Sequence, residues 1–323
     1  MNYRTFGRTN WSVSELGYGM WGMAGWAGSD DNESLKSLQL AVDSGCNFFD
    51  TAWAYGGGKS EALLGQIIRS NREKKLYTAT KIPPKNFRWP SRRSYRSTDC
   101  FPPDHIEQYV EDSLKNAGIG SFDLMQFHTW EDSWLEDEKM VRKMIDLKSQ
   151  GLFKAIGISI NRWEPWNGIN AVETGFADAV QVIFNIFDQN PKEKLFPACK
   201  KHNVGVIARV PFDEGSLTGT LTKESKWARG DWRNTYFVPE NLNATVDRVD
   251  RLKPLVPHGM SMAEMALRFI LSENSVSTII PGMRKIKNVK MNIDAINSGS
   301  LDSSLISELQ KHSWERKPTE WSQ

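Results

Sequence analysis

The sequence predicts an α/β fold, and within that class a (β/α)8 TIM barrel. Eight short apolar runs recur along the chain, most of them rich in β-branched or aromatic residues, as expected of parallel strands covered on both faces. Segments with apolar residues at helical spacing fill most of the intervals between these runs. The turn after the first run has no GxGxxG sequence, which disfavours an open, doubly wound sheet.

The predicted elements alternate along the whole chain. Strands are predicted at residues 15–22, 46–52, 76–82, 122–128, 153–159, 179–185, 204–210 and 276–282. Helices are predicted at residues 33–45, 60–70, 104–118, 137–151, 193–203 and 260–273. Because no stretch has the composition of a linker, we expect residues 1–323 to form a single barrel domain.

Several segments exceed what a barrel requires. Residues 3–15 read as a hairpin that covers the barrel floor. Two long excursions follow strands three and seven, at residues 85–104 and 213–258, and the second includes a helical pattern at 240–255. Long insertions at the carboxyl ends of barrel strands often carry specificity elements, although a tolerated surface loop is the alternative. Residues 301–323 begin as an extra C-terminal helix and end in a polar, mobile tail.

The composition is that of an ordinary soluble enzyme or binding protein. The 323 residues are 39% hydrophobic and 25% charged, with 41 Lys and Arg against 39 Asp and Glu. A net charge of +2 gives no general attraction for nucleic acid or for an anionic membrane. The three cysteines are far apart, and no signal peptide or apolar run of about 20 residues occurs. We therefore expect a cytoplasmic protein without nucleic-acid or membrane partners; its oligomeric state stays open.

Four ionisable residues fall at the ends of successive predicted strands. Asp50 ends the second strand, Tyr55 lies in the glycine-rich turn beyond it, Lys81 ends the third and His128 closes the fourth. Taken singly, each has an ordinary explanation as a turn cap, a half-buried aromatic, a surface charge or a satisfied core histidine. Together they form a coherent site: Asp50 holds Lys81, whose charge lowers the pKa of Tyr55 so that the phenol donates a proton. His128 would orient a substrate carbonyl.

These segments resemble the aldo-keto reductase family, from the N-terminal hairpin to the last helix. FFDTAWAYGGGKSEALLG is similar to the family's Asp-Thr-Ala and Tyr-Gly segment, TKI carries its lysine and DLMQFHTWED its histidine. IPGMRKIKNVKMN resembles the cofactor-end signature. The resemblance implies reversible hydride transfer between a nicotinamide dinucleotide and a carbonyl. It assigns the family's catalytic tetrad to Asp50, Tyr55, Lys81 and His128.

The resemblance also implies a cofactor site. Ser159 and Gln181 would hold the nicotinamide carboxamide, and Phe184 stands in place of the tyrosine on which the ring stacks. Ile160 departs from the usual Ser-Asn pair, with Asn161 one position late. The implied set comprises Trp21, Ser159, Asn161, Gln181, Phe184, Arg209, Pro211, Phe212, Gly215, Ser216, Leu217, Gly219, Gly282, Met283, Arg284, Asn288 and Asn292.

Two parts of that set would bind phosphate groups. The loop 215–219 can bring backbone amides to a pyrophosphate, the alternative being a flexible surface turn. Arg284 and Lys285 precede a helix, where cationic side chains hold a phosphate monoester. Asn288 and Asn292 would contact the adenine. We therefore predict NADP as the cofactor, with NAD possible.

Aromatic residues are the candidates for the substrate pocket. Trp21, Trp53 and Trp130 are predicted to bind substrate, with Trp134 a further candidate, and packing in the core is the alternative. Four arginines in the loop after strand three form either a basic wall or a solvated charge cluster: Arg88, Arg92, Arg93 and Arg96. The substrate is expected to be a small aldehyde, ketone or sugar, and its identity stays open.

Two other functions are alternatives to this prediction. The first is a cofactor-binding regulatory protein, similar to the channel-associated β subunits that keep this fold, and the intact tetrad disfavours it. The second is a metal-dependent sugar isomerase on the same barrel. The five histidines show no ligand spacing and few carboxylates end strands, so no metal site is predicted.

Overall fold

The computed structural model describes residues 1–25 and 28–316, in which strands and helices alternate. The strands are β1 (Tyr3–Phe6), β2 (Trp11–Ser14), β3 (Tyr18–Gly19), β4 (Phe48–Asp50), β5 (Tyr77–Ile82), β6 (Phe122–His128), β7 (Phe153–Ser159), β8 (Ala179–Ile183), β9 (Gly205–Arg209) and β10 (Thr278–Ile279). The helices are α1 (Asp31–Asp43), α2 (Lys59–Ser70), α3 (Ser97–Cys100), α4 (Pro103–Ala117), α5 (Glu138–Ser149), α6 (Ile169–Glu173), α7 (Leu195–Lys201), α8 (Arg233–Tyr236), α9 (Pro239–Leu252), α10 (Met262–Leu271), α11 (Ile286–Asn297) and α12 (Ser303–Gln310).

Strands β3 to β10 form the predicted barrel. They pair in parallel and in chain order within one sheet of the described residues. Isolated parallel bridges from Leu16 to Ile279 and from Gly19 to Gly282 bring the two ends together, so the barrel is nearly closed. All six residues of β5 are buried, as expected for a strand with side chains on one face in the barrel and helices on the other. The fold prediction is confirmed.

Six barrel strands are shorter than predicted, and the largest differences are in β3, β4 and β10. The backbones of the first and last strands approach closely here: a Cβ on Gly19 would lie 2.5 Å from the Ile280 carbonyl oxygen. The chain then leaves the sheet early, in a 3-10 turn at Trp21–Met23 after β3. The early strand ends leave irregular backbone at the carboxyl rim, where functional groups of a barrel lie.

The N-terminal hairpin closes the opposite end of the barrel, as predicted. Its strands β1 and β2 pair antiparallel, with Tyr3 opposite Ser14. Phe6 is fully buried and packs on Phe48 with ring centroids 5.4 Å apart. Burying such a side chain contributes about 2–3 kcal/mol to stability. Gly7 has a φ of +51°, and a Cβ there would lie 2.4 Å from the Gly205 backbone nitrogen, so only glycine allows this contact.

Long segments surround the carboxyl rim. The excursion after β5 contains α3, and the one after β9 contains α8 and α9. The extra C-terminal helix is α12, and the chain beyond it packs back on the barrel as far as Arg316. The predicted polar tail end, residues 317–323, lies outside the described residues. In the described part of the chain no helix is both long and apolar enough to cross a membrane.

Candidate active site

A glycine turn positions Tyr55 beside the end of β4. Gly56, Gly57 and Gly58 have φ values of +72°, +59° and +91°, a left-handed run that residues with a Cβ rarely adopt. The Tyr55 amide donates to Ala52 O at 3.0 Å, and α2 begins directly after the glycines. The three glycines therefore let the chain reverse within a few residues, and the phenol stays close to Asp50.

Lys81 and Asp50 form a buried ion pair at the centre of the rim. Lys81 Nζ lies 2.5 Å from Asp50 Oδ2 and donates to Thr51 O at 2.7 Å, and the lysine is 0% exposed. Asp50 Oδ1 accepts from Gln126 Nε2 at 3.0 Å and from Gln181 Nε2 at 2.8 Å. Burial lowers the pKa of Lys81 more than any other single contribution, but the charges of Asp50 and Tyr55 and the hydrogen bonds to them together outweigh burial and raise that pKa above its ordinary value. Lys81 is therefore a permanent cation at neutral pH.

Tyr55 is the group that this cation faces. Lys81 Nζ lies 3.4 Å from the Tyr55 hydroxyl and 5.0 Å from the centre of its ring. Burial raises the pKa of Tyr55, while the charges of Lys81 and Arg209 oppose the rise and Asp50 adds to it. The expected lowering of this pKa is therefore not the net result, because desolvation is the largest contribution. The phenol is neutral, which is the form that donates a proton.

His128 ends β6 and faces the same phenol. Its ring is nearly perpendicular to that of Tyr55, at 87°, with centroids 6.0 Å apart. Burial, followed by the charges of Lys81 and Arg209, holds the pKa of His128 well below its ordinary value. Nδ1 is buried without a hydrogen-bond partner among the described residues. A neutral imidazole at this position has hydrogen-bonding capacity to offer a ligand.

Sequence reasoning missed three residues around this site. Gln126 is fully buried and supports Asp50; its signal is a polar residue between the apolar Met125 and Phe127 of β6. Trp89, in the loop after β5, donates from Nε1 to His128 O at 2.8 Å. Phe87 packs edge-on against Trp89 at 6.1 Å, and the two are 48% and 39% exposed respectively. The loop after β5 therefore presents aromatic side chains at the rim, in addition to its arginines.

Part of the predicted cofactor set lies at the rim. Ser159 ends β7 and Arg209 ends β9. The Nη2 atom of Arg209 donates to Ile160 O at 3.1 Å, and its Nε is buried without a partner in the described structure. Asn161 donates to Ser91 O at 3.0 Å, and its Oδ1 is likewise buried and unpartnered there. Buried polar atoms that lack partners call for an explanation, and a bound ligand supplies one.

Other members of the set belong to the loop after β9. The amides of Gly215 and Leu217 donate to Phe212 O at 2.9 and 3.0 Å, and that of Gly219 donates to Ser216 O at 3.0 Å. These three amides are thus engaged within the turn itself. Three further members of the predicted set have buried side chains. Pro211 and Leu217 lie in this loop, and Met283 follows β10.

The residues predicted for the adenylate end lie at the start of α11. Arg284 Nη1 donates to Gly22 O at 3.2 Å, and Lys285 is the N-cap residue of the helix. Asn288 is exposed, whereas Asn292 is buried with its Nδ2 unpartnered among the described residues. Unpartnered donors here and at the rim fit a dinucleotide that extends between them.

The structure contradicts the assignments of Phe184 and Trp130. Phe184 is fully buried, and its ring packs on Phe196 and Phe269 at 5.1 and 6.1 Å, so it has no free face for a nicotinamide. Trp130 is also 0% exposed, in the aromatic core beside Trp134 at 5.9 Å, and Trp134 is 3% exposed, so neither ring offers a surface to a substrate. The amide nitrogen of Gln181 donates to Asp50 and to Gln126, so a nicotinamide carboxamide would be held by its Oε1, which accepts hydrogen bonds. In each case contacts with distant segments set the side-chain direction.

The remaining aromatic candidates stand near the rim. Trp21 is 37% exposed and packs edge-on against Trp232 of the second excursion at 5.4 Å. Trp53 contacts Tyr109 and Phe87, with centroids 4.7 and 6.2 Å away. Two of the loop arginines form surface ion pairs, Arg93 with Glu164 and Arg96 with Asp99, which favours the solvated-cluster interpretation over a basic wall.

No group of three or more His, Cys, Asp or Glu side chains within residues 1–25 and 28–316 is arranged to hold a metal ion. The three cysteines are buried free thiols.

Comparison with known proteins places this geometry in context. The model of the Aldo/keto reductase family matches residues 15–313. Aldo-keto reductase YhdN of Bacillus subtilis is 28% identical over 292 residues, covering 88% of this chain and 86% of the relative. NADH-specific methylglyoxal reductase of Escherichia coli is 26% identical, covering 94% and 96%. The solved holo form of the aldo-keto reductase AKR11C1 from Bacillus halodurans shares the fold, with a TM-score of 0.77, 23% identity and coverage of 98% and 99%.

Proposed function

Because the chain belongs to the aldo/keto reductase family of nicotinamide-dependent oxidoreductases, we propose that it reversibly reduces the carbonyl group of a small aldehyde, ketone or sugar. The observation that carries this proposal is the hydrogen-bonded series Asp50–Lys81–Tyr55, with separations of 2.5 and 3.4 Å. A relative named as a methylglyoxal reductase supports a small carbonyl substrate.

The proposed mechanism uses the four rim residues in distinct roles. A nicotinamide coenzyme, when bound, supplies the hydride. Tyr55, neutral because it is buried, donates its proton to the carbonyl oxygen, and Lys81 stabilises the phenolate that remains. Asp50 keeps Lys81 charged and in place. His128, neutral because of burial and neighbouring cations, holds the carbonyl oxygen by a hydrogen bond.

Residues on both sides of this rim would hold the coenzyme. Ser159, Asn161 and Arg209 would bind at the nicotinamide end, since Asn161 and Arg209 carry unpartnered buried atoms there. The loop after β9 would receive the pyrophosphate through groups other than the amides of Gly215, Leu217 and Gly219, which are engaged within the turn. Arg284 and Asn292 would receive the adenylate. We propose NADP as the preferred coenzyme because Arg284 and the N-terminus of α11 together suit a phosphate monoester.

Substitution of Tyr55 tests the mechanism. Tyr55→Phe removes the proton donor, so kcat for carbonyl reduction should fall by about 10²–10⁴-fold, with coenzyme affinity little changed. Tyr77→Phe is the matched control, because Tyr77 packs on Trp11 of the floor hairpin. An unchanged rate in Tyr55→Phe removes Tyr55 from the mechanism. A wild-type protein that oxidises bound coenzyme once, and turns over no carbonyl, would favour the regulatory function instead.

Titration with the two coenzymes tests the proposed preference for NADP. NADPH and NADH are titrated into the wild type, Arg284→Ala and Lys290→Ala, where Lys290 is an exposed cation of the same helix. Losing a charged hydrogen bond weakens NADPH binding by about 10- to 150-fold and should leave NADH binding nearly unchanged. Equal affinity for the two coenzymes in the wild type, or a preference for NADH that survives Arg284→Ala, would exclude NADP as the preferred coenzyme. One relative is named as NADH-specific, so the opposite preference is the alternative that this titration distinguishes.

A further inference from the structure

A buried series of hydrogen bonds joins the C-terminal segment to the loop after β9. Arg316 is 5% exposed; its Nη2 donates to Asp213 Oδ1 at 2.7 Å and its Nη1 to the Tyr236 hydroxyl at 2.6 Å. Asp213 is 0% exposed, and its Oδ2 accepts from Ser216 Oγ at 2.6 Å. The C-terminal segment is thus connected, through one carboxylate, to a residue of the proposed pyrophosphate loop.

The approach of Arg316 to this loop is itself fixed by contacts. The Trp314 amide donates to Phe187 O at 2.8 Å, which docks residues 311–316 on the segment after β8. The Arg316 guanidinium then lies over the Trp314 ring at 4.3 Å and 3.6 Å from Asp188 Oδ2. A planar cation held by a ring face and two carboxylates has little freedom to leave.

The loop that Arg316 reaches has a disfavoured backbone. Val210, Asp213 and Glu214 have φ values of +54°, +46° and +57°, in the left-handed region that residues with a Cβ rarely occupy, a β-branched valine least of all. Such conformations persist only where the surroundings impose them. Asp213 is at once one of these residues and the carboxylate that Arg316 binds. The ion pair therefore acts directly on the backbone that shapes the loop.

A second arginine, from the segment after β7, contacts the same Asp213 and Tyr236 side chains. Arg162, which follows β7, hydrogen-bonds through Nη1 to the Tyr236 hydroxyl and lies 3.7 Å from Asp213 and 3.6 Å from Glu214. The segments after β7 and β9 and the C-terminal segment therefore meet at Asp213 and Tyr236. Arg316 is the member of this group supplied by the C-terminal segment.

We propose that Arg316 is a positioning residue for coenzyme binding: through Asp213 it holds residues 210–219 in the conformation that receives the pyrophosphate. The inference rests on the proposed function, because it takes this loop as part of the coenzyme site. Arg316 itself touches neither the coenzyme nor the reacting atoms in this role. Its removal should therefore affect coenzyme affinity far more than the chemical step.

The experiment measures the coenzyme Kd and kcat separately, with NADPH and NADH as probes. The variants are Arg316→Ala, Arg316→Lys and the control Arg248→Ala; Arg248 stacks on the same Trp314 ring at 4.4 Å but is not part of the ion group at Asp213. In Arg316→Ala the coenzyme Kd should rise by about 5- to 150-fold, while kcat at saturating coenzyme stays within about threefold of the wild type. Arg316→Lys, which keeps the charge, should recover part of the affinity, and Arg248→Ala should bind as the wild type does.

Several outcomes would overturn the inference. It fails if Arg316→Ala binds coenzyme like the wild type, or if Arg248→Ala weakens binding equally, since a general loss of C-terminal packing would then explain the effect. If Arg316→Ala does not fold, Asp213→Asn is the variant to test, because it removes the same ion pair from the loop side with little change in volume. An unchanged coenzyme Kd in Asp213→Asn overturns the inference, and a raised Kd supports it. A wild-type protein that binds neither coenzyme refutes the proposed function itself, which is a distinguishable result.

Discussion

Neutralising Asp50 should destabilise the protein far more than neutralising an exposed acid. Lys81 Nζ lies 2.5 Å from Asp50 Oδ2, with side chains 0% and 3% exposed. At that separation and an effective dielectric constant of about 20, the attraction is about 7 kcal/mol, much of it offset by desolvation of the two charges. Asp50→Asn keeps the shape but leaves Lys81 without a counter-ion. The free energy of unfolding should therefore fall by about 3–5 kcal/mol.

Chemical denaturation at pH 7 measures this loss, with Asp43→Asn as the control. Asp43 pairs with Lys74 at 2.8 Å, but the two side chains are 54% and 38% exposed, so this change should lower the free energy of unfolding by about 1 kcal/mol or less. The double variant Asp50→Asn/Lys81→Met removes both charges and should regain much of the loss. Equal losses in Asp50→Asn and Asp43→Asn, or a double variant no more stable than the single one, would refute the reasoning.

The pH dependence supplies an independent check. In the wild type the folded pKa of Lys81 is raised, so its contribution to stability is fully present below the unfolded value of about 10.4 and is lost as pH rises through the folded pKa. In Asp50→Asn burial acts on Lys81 without that opposing charge, so the folded pKa should fall below the unfolded one. The variant should then gain stability relative to the wild type as pH rises towards about 10. A constant difference between the two across this range would contradict the explanation.

Two further predictions concern a protonation state and a helix contact. The NMR titration midpoint of the His128 ring should lie well below the usual 6.5, because burial and neighbouring cations lower its pKa. The stability contributed by the neutral ring should fall as pH drops below about 6.5, where the unfolded chain takes up a proton. A titration midpoint at or above 6.5 would contradict this. Gly65→Ala should lower the free energy of unfolding by about 1–3 kcal/mol, because its Cβ would lie 1.8 Å from Ala117 O where α2 meets α4. Gly120→Ala, whose Cβ meets no described atom within 4 Å, is the control, and equal loss in both would show that the contact is not the cause.

The arrangement of the rim is largely predictable from sequence. Apolar runs that end in Asp50, Lys81 and His128 mark parallel strands, and the carboxyl ends of parallel strands in a barrel meet at one edge. The glycine cluster after Asp50 marks the turn that presents Tyr55. These inferences depend only on local pattern and on a general property of the fold, so the grouping of these residues follows from the sequence. Their chemical roles are proposals that the Tyr55 and coenzyme experiments test.

The directions of individual side chains are not predictable in the same way. Phe184 follows β8 near the rim, yet its ring turns into the helix layer because Phe196 and Phe269 provide an apolar site there. Trp130 follows His128 closely but enters the core beside Phe127. Gln126 stands out locally as a polar residue between apolar ones, but its partner Asp50 lies 76 positions away, and the local pattern does not identify that partner. Each case depends on contacts between segments far apart in the chain, and local pattern carries no information about them.

The sequence by itself determined the barrel, its floor hairpin and the acid, phenol, lysine and imidazole at the rim, because periodicity and strand ends are local properties. Only the tertiary structure decided the state of these groups. The charge of Lys81 was expected to lower the pKa of Tyr55, but burial outweighs it, and only the complete packing around the phenol determines how far it is removed from water. The same holds for Arg316, whose proposed role depends on the contact between its guanidinium and Asp213, which only the folded chain makes. Desolvation and long-range ion pairs are properties of the assembled chain, because they depend on which distant segments cover and face each group.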